Sequence, residues 1–248
     1  MRGATLLFAT LATASSAAVL AEQTEYAFRW NPAEGGPKTA SGAASELNIQ
    51  ADRAKEFEVR YLTVKQPPGL PSSTFRAVAR ERTDKGGPES MYKVRGPYSD
   101  AAAKSLSSWS CPLSGPNMEQ KLEVDINWAI DEAAKKKNPK APPTPHSAIS
   151  FSCSVDGAAS TSFPKDSRMS PKPCANKVLR LKAKTWKVEE WDLAAGGRIV
   201  ELSYSVDAGS SEHQAAFQEN VDKLLKAGSL PLPASKELLG SDCQTKVS

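Results

Sequence analysis

The sequence predicts a mainly β (α+β) fold: an antiparallel barrel or tunnel of seven or eight strands, with terminal helices packed outside it. Three observations carry that reading. Period-two alternation of apolar and polar residues recurs between residues 56 and 206. The connections hold turn signals such as "DKGGP", "PLSGPN" and "KNPKAPPTP". Helical patterning is confined to regions near the two ends of the chain.

Residues 1–21 stand apart from the fold. Arg2 forms a short basic region, and "ATLLFATLATASSAAVLA" is an apolar run broken by small hydroxyl residues. Val19 and Ala21 occupy the −3 and −1 places of a small-residue cleavage site, so the expected mature domain spans 22–248, and the protein is read as secreted or periplasmic. No other stretch is long and apolar enough to span a bilayer, and no membrane insertion is expected.

"TEYAFRWNP" begins the mature chain as an edge strand and runs into a loop at "AEGGPK"; "TASGAASELNIQA" (39–51) reads as a short helix. In "KEFEVRYLTVK" (55–65), Glu56, Glu58 and Arg60 alternate with Phe57, Val59 and Tyr61, the pattern of a strand with two different faces. "STFRAVARERT" (73–83) places Arg76, Arg80 and Arg82 on one parity, and "ESMYKVRG" (89–96) places Lys93 and Arg95 opposite Tyr92 and Val94. "QKLEVDINW" (120–128) opposes Lys121, Glu123 and Asp125 to Leu122, Val124, Ile126 and Trp128; "AISFSCSVD" (148–156) opposes three serines to Ile149, Phe151, Cys153 and Val155. "KVLRLKAKTWKVEEWDL" (177–193) supplies one strand with Arg180, Lys182 and Lys184 on one face, then a second strand or a bent continuation. "RIVELSYSVD" closes the set, and 211–228 forms an amphipathic helix with Ser211 at its N-cap and Gly228 as its stop. The tail from Leu230 reads as irregular.

Removing Arg2 from the 32 Lys and Arg, against 28 Asp and Glu, leaves a mature net charge of +3, too mild to argue for nucleic acid. Cys111, Cys153, Cys174 and Cys243 are an even number in an exported chain and are read as two disulfides. Cys111 with Cys153 and Cys174 with Cys243 is the pairing preferred among three that stay open. His146, in a proline-rich loop, and His213, at a helix start, give no support to a Ser-His-Asp or Cys-His mechanism.

Collected together, the polar parities hold both signs of charge. A sheet with this face in water would show the same pattern. In a closed barrel one parity of every strand points inward, and charge there must be wet or matched by a charged ligand. Arginine forks and lysines bind phosphate oxygens, and paired carboxylates hold hard divalent cations.

"EFEVRY" resembles the E-x-E-x-K opening motif of the CYTH superfamily, the triphosphate tunnel metalloenzymes, with Arg60 in place of Lys. "ARERT" resembles that family's R-x-R strand, "MYKVRG" its T-x-K strand with Met91 in place of Thr, "EVD" its middle acidic strand, "LKAK" its K-x-R strand and "VELSYSV" its closing strand. The motifs run in family order over residues 56–206; Ser203 stands where the closing pattern has a second Glu. The resemblance implies a tunnel in which Glu56, Glu58 and Glu201, helped by Glu123 and Asp125, hold Mg²⁺ or Mn²⁺. Arg60, Arg80, Arg82, Lys93, Arg95, Lys182 and Lys184 would then hold phosphates. Two functions stand at this point: a metal-dependent triphosphate or polyphosphate phosphohydrolase, and a non-catalytic exported β-domain that binds a partner or a small anion. The protein is expected to act as a monomer.

Overall fold

The structure, a computed structural model, describes residues 23–64, 69–138, 141–164, 170–207, 209–232 and 236–241. Nine strands close into a barrel in the order β1-β5-β6-β4-β3-β2-β7-β8-β9, with β9 returning to β1. They are β1 (Gln23–Trp30), β2 (Arg53–Thr63), β3 (Arg76–Asp84), β4 (Gly87–Pro97), β5 (Glu119–Ala129), β6 (Thr144–Asp156), β7 (Ser170–Ala183), β8 (Trp186–Asp192) and β9 (Arg198–Val206). The mainly β barrel expected from the alternation is present, but its count and pairing differ from expectation. "TEYAFRW" is no edge strand: β1 closes the barrel between β9 and β5, and it runs parallel to β5. Alternation fixes which residues share a face; it carries no information about which neighbour a strand chooses.

Directly paired residues point to the same side of a sheet, so the register assigns the faces. Tyr26, Phe28 and Trp30 of β1 pair with Tyr204, Leu202 and Val200 of β9 and face outward. Helix α1 (Ala40–Glu46) and helix α5 (Ser211–Lys226) cover them. The Thr39 side chain caps α1, and the small residues Ala40, Ala43 and Ala44 are buried against the sheet. In α5, Phe217, Val221 and Leu224 form the buried stripe. The N-cap is Ser210, one residue before the expected Ser211, because its hydroxyl accepts the His213 backbone N–H.

A second outer layer lies over β4 and β6, where Tyr92, Val94, Ile149 and Phe151 meet α2 (Asp100–Ser107) and α4 (Ala159–Ser162). The loop after α2 is tied to this layer by the Cys111–Cys153 disulfide, with Trp109 stacked on Tyr92 at 5.4 Å. Cys174 is also disulfide-bonded; Cys243 lies outside the described residues, as does the expected signal segment 1–21. The short α3 (Glu132–Lys137) follows β5, with Asp131 as its N-cap.

A third apolar cluster sits inside the barrel: Phe57, Val59, Tyr61, Val178, Trp191 and Ile199 are inward residues of β2, β7, β8 and β9. Against it packs α6 (Lys236–Ser241), in a tail that the sequence presents as irregular. Asn176 joins α6 to the wall, donating to the carbonyls of Val59 (3.2 Å) and Gly240 (2.8 Å). The interior is therefore apolar around β2 and the adjoining parts of β7, β8 and β9, and carries the charges lining the rest of the chamber. Among the described residues, no helix is long and apolar enough to cross a membrane.

Candidate functional site

The charged part of the interior encloses a cavity of about 240 Å³. Nine cationic and six anionic side chains line it, so the wall itself is cationic. β3 contributes Arg80 and Arg82, β4 contributes Glu89, Lys93 and Arg95, and β5 contributes Glu119, Lys121 and Glu123. The inward residues of β6 are Ser150, Ser152 and Ser154, small enough for charges on β4 and β5 to meet across them. The lining reaches solvent beside Lys121 and Glu119, which are 42% and 68% exposed.

One network spans β4 and β5. Asp125 is buried and accepts from Lys93 Nζ and Arg95 Nε, each at 3.1 Å; Lys93 also lies 3.4 Å from Glu123. Burial raises the affinity of Asp125 for a proton, but the two cations outweigh it and hold the carboxyl below its ordinary range. On β1, Glu25 pairs with Lys187 at 3.1 Å; its pKa too is driven well down, burial being overcome by Lys187, Lys236 and Lys93.

A second network lies deeper. Arg180 Nε donates to Glu189 at 2.6 Å, and Trp191 Nε1 donates to the other oxygen of that carboxylate at 2.8 Å. Lys236 enters from α6 and donates to Glu189 and Glu201, while Arg29 pairs with Glu201 and donates to Asn127 at 2.8 Å. Arg180 sits over the Phe57 ring at 4.8 Å, and Arg82 over the same ring at 5.3 Å.

The remaining cations are less fully matched. Arg82 pairs with Glu89, yet its Nε and that of Arg80 are buried without hydrogen-bond partners. Burial pulls the Arg82 guanidinium down; Glu89 counters this, and Arg80 and Arg180 add repulsion. Arg80 and Arg82 thus set two neighbouring guanidiniums, each with a buried Nε that has no partner, in the cavity wall.

Of the residues singled out in the sequence, Arg80, Arg82, Lys93, Arg95, Glu123 and Glu201 line this cavity, and Asp125 lies behind them. Glu56, Glu58 and Arg60 do not join them. They occupy the outer parity of β2, where Glu56 and Glu58 are exposed and Arg60 lies 3.7 Å from Glu58. The alternation of β2 is present, but the inward placement of its charges that the family resemblance implies is not. On β2 the inward side is taken by Phe57, Val59 and Tyr61, whose burial with Trp191 and Val178 decides the orientation. Lys182, opposite Lys187, lies off the lining, and Lys184 is exposed in the β7–β8 turn with a positive φ of 53°. Reasoning from the sequence missed Glu25 and Arg29, which share a parity in "TEYAFRW", and also Arg180's partner Glu189, Lys187 and Lys236. The two β1 charges were legible from spacing; Lys236 was not, since a lysine in an irregular tail gives no directional signal.

The residues present do not fit the divalent cation implied by the family resemblance. Glu56 and Glu58 face away, Glu201 is held by Arg29 and Lys236, and Glu123 and Asp125 share Lys93. Among the described residues, no group of three or more His, Cys, Asp or Glu is arranged to hold a metal ion. A hard cation needs carboxylate lone pairs that are here given to ammonium and guanidinium groups.

The chain matches no family model and no curated protein. Among solved structures it is similar to the PH1819 protein of Pyrococcus horikoshii OT3, at 14% identity and a TM-score of 0.44, over 87% of this chain and 97% of that one. The PH1012 protein of the same organism aligns at 11% identity and a TM-score of 0.39, over 88% and 98%. A conserved hypothetical protein of Pyrococcus furiosus aligns at 11% identity and 0.39, over 87% and 99%.

Proposed function

We propose that the protein is an exported anion-binding barrel that holds a phosphate-rich anion in its charged chamber, without a metal ion and without turnover. The observation that carries this reading is the pair of buried Nε groups on Arg80 and Arg82 with no partner. An oxygen anion drawn against these guanidiniums, with a small shift of their side chains, supplies acceptors for their N–H groups and offsets the repulsion of Arg82 by Arg80 and Arg180. Lys93, Arg95 and Lys121 extend the cationic wall toward solvent, which favours a multiply charged anion over a single one. The resemblance to the triphosphate tunnel metalloenzymes supports the same ligand class through Arg80, Arg82, Lys93 and Arg95; its metal-binding half finds no support here. Disulfides favour the export reading, because they persist in oxidising compartments.

The test is heat unfolding in tripolyphosphate, orthophosphate and sodium chloride at equal ionic strength, with a chelator present. A ligand that binds only the folded chamber stabilises it by about 2.7 kcal/mol at a hundredfold excess over its dissociation constant. For a domain of this size that corresponds to a rise of roughly 5–10 °C in Tm. Tripolyphosphate is expected to raise Tm in the chelator, more than orthophosphate, with no phosphate released. Absence of any shift beyond that in chloride overturns the reading, and a shift that requires Mg²⁺ or Mn²⁺ overturns its metal-free form.

A further inference from the structure

Lys236 is the first residue of α6, yet its ammonium belongs to a site built by other strands. Its Nζ lies 2.6 Å from Glu201 Oε1, 3.2 Å from Glu189 Oε2 and 5.2 Å from the centre of the Trp191 ring. Both carboxylates are almost fully buried, at 3% and 2% exposure. They do not depend on Lys236 for their orientation. Arg180 Nε and Trp191 Nε1 hold Glu189, and Arg29 holds Glu201, all from the barrel wall. The wall thus presents a pre-organised set of two carboxylate oxygens and an aromatic face, while the cation comes from a separate segment.

That set selects one kind of cation. A primary ammonium donates three hydrogen bonds from a point charge and gains from an indole face. A divalent metal demands more oxygen ligands and gains nothing comparable from the ring, and Arg29 and Arg180 stand beside it with like charge. A guanidinium is planar and too broad to replace a point charge between two carboxylates.

We propose that Glu189, Glu201 and Trp191 form a recognition site for a primary ammonium ion, with Lys236 as its tethered occupant. Ammonium recognition here does not rest on the anion-binding reading, although Glu189, Glu201 and Lys236 line the same cavity. The tether makes occupancy intramolecular, so free amines at millimolar concentration do not compete with Lys236 in the native chain. Deleting the amine opens the site to them. The Asn176–Gly240 hydrogen bond and the packing of Leu239 still hold α6 to the wall.

The experiment uses the full-length chain with Lys236→Ala, unfolded by heat in ethylammonium chloride, tetramethylammonium chloride or sodium chloride at equal concentrations. The variant is expected to melt below the native protein in sodium chloride and to regain Tm saturably in ethylammonium. The native protein should show no such response. Tetramethylammonium, which has no N–H donor, should give no recovery. Lys236→Met, which keeps the stem and fills the site with a methyl group, should lose stability without regaining it in any amine. If Lys236→Ala does not fold in sodium chloride, its refolding yield from urea in ethylammonium against sodium provides the same reading. Equal behaviour in ethylammonium and sodium overturns the proposal, as does recovery in Mg²⁺ but not in ethylammonium.

Discussion

Lys93 Nζ lies 3.1 Å from Asp125 Oδ1, although β4 and β5 are not neighbours in the barrel. The pair reaches across β6, whose inward residues are serines. Breaking a buried pair by neutralising one partner leaves the other charge uncompensated and costs about 3–5 kcal/mol. Asp125→Asn should therefore lower the urea midpoint strongly, with the slope unchanged. It also takes one counter-charge from Lys93 and Arg95, so tripolyphosphate should recover more stability in the variant than it adds to the native chain. A variant with native stability would show that the interior charges are screened by water.

The same carboxylate is one of several that tie the stability of the fold to acid pH. The pKa of Asp125 is lowered by Lys93 and Arg95 against the effect of burial, and that of Glu189 by Arg180 and Lys236. Groups with lowered pKa contribute stability that is present above their unfolded values of 3.8 and 4.5 and is lost as pH falls through the folded values. Stability should be level in acid down to about pH 5 and then decline. Asp125→Asn should flatten that decline, and urea unfolding between pH 2 and 7 reads it directly.

At the alkaline end burial raises the pKa of Tyr26, and also that of Tyr92. Burial against Trp109 and Phe163 pushes its phenol up from 10.0 to about 12. A raised acid favours the protonated fold, so its contribution is fully present below pH 10 and is lost as pH rises through about 12. Tyr92→Phe should reduce the loss of stability in that window. Phenolate absorbance of the native protein should show Tyr92, and with it the buried Tyr26, ionising later than an exposed tyrosine.

The disulfide between Cys111 and Cys153 closes a loop with a sequence separation of 42. Chain entropy for a loop of that length contributes about 4 kcal/mol. Replacing both with serine should lower stability by an amount of that order, with the loss reported by Trp109 fluorescence, since this ring packs on Tyr92 and Phe151 beside the bridge. Anion protection should persist, because the bridge lies on the outer face.

Strand positions were legible because alternation is a local property: Phe57, Val59 and Tyr61 alternate with charge whatever surrounds them. The direction of the face was not local. On β1, β5 and β9 the apolar parity is outside, covered by α1 and α5, whereas on β2 it is inside, packed on Trp191 and Ile199. Nothing in "EFEVRY" distinguishes the two, since the deciding contacts come from residues more than a hundred positions away. The cationic half of the site was legible for the converse reason: Arg80, Arg82, Lys93 and Arg95 lie on strands joined by a tight hairpin, so a shared face follows from adjacency. Lys236 and Glu189 meet only through the tertiary path of the tail.

That contrast gives a paired prediction. Glu56 and Glu58 are exposed on the outer face, so Glu56→Gln with Glu58→Gln should change stability by no more than about 0.5 kcal/mol and leave tripolyphosphate protection intact. Arg80→Met should act oppositely. It removes a half-buried guanidinium whose buried Nε has no partner and relieves repulsion on Arg82, so the ligand-free protein should be as stable as the native chain or more so. Its protection by tripolyphosphate should fall, with a shallower dependence on sodium chloride, because one cation has left the chamber. Heat unfolding of both variants across a tripolyphosphate series and two salt concentrations separates the outcomes. Protection lost in the glutamine pair and retained in Arg80→Met would move the anion site from the interior to the outer face of β2.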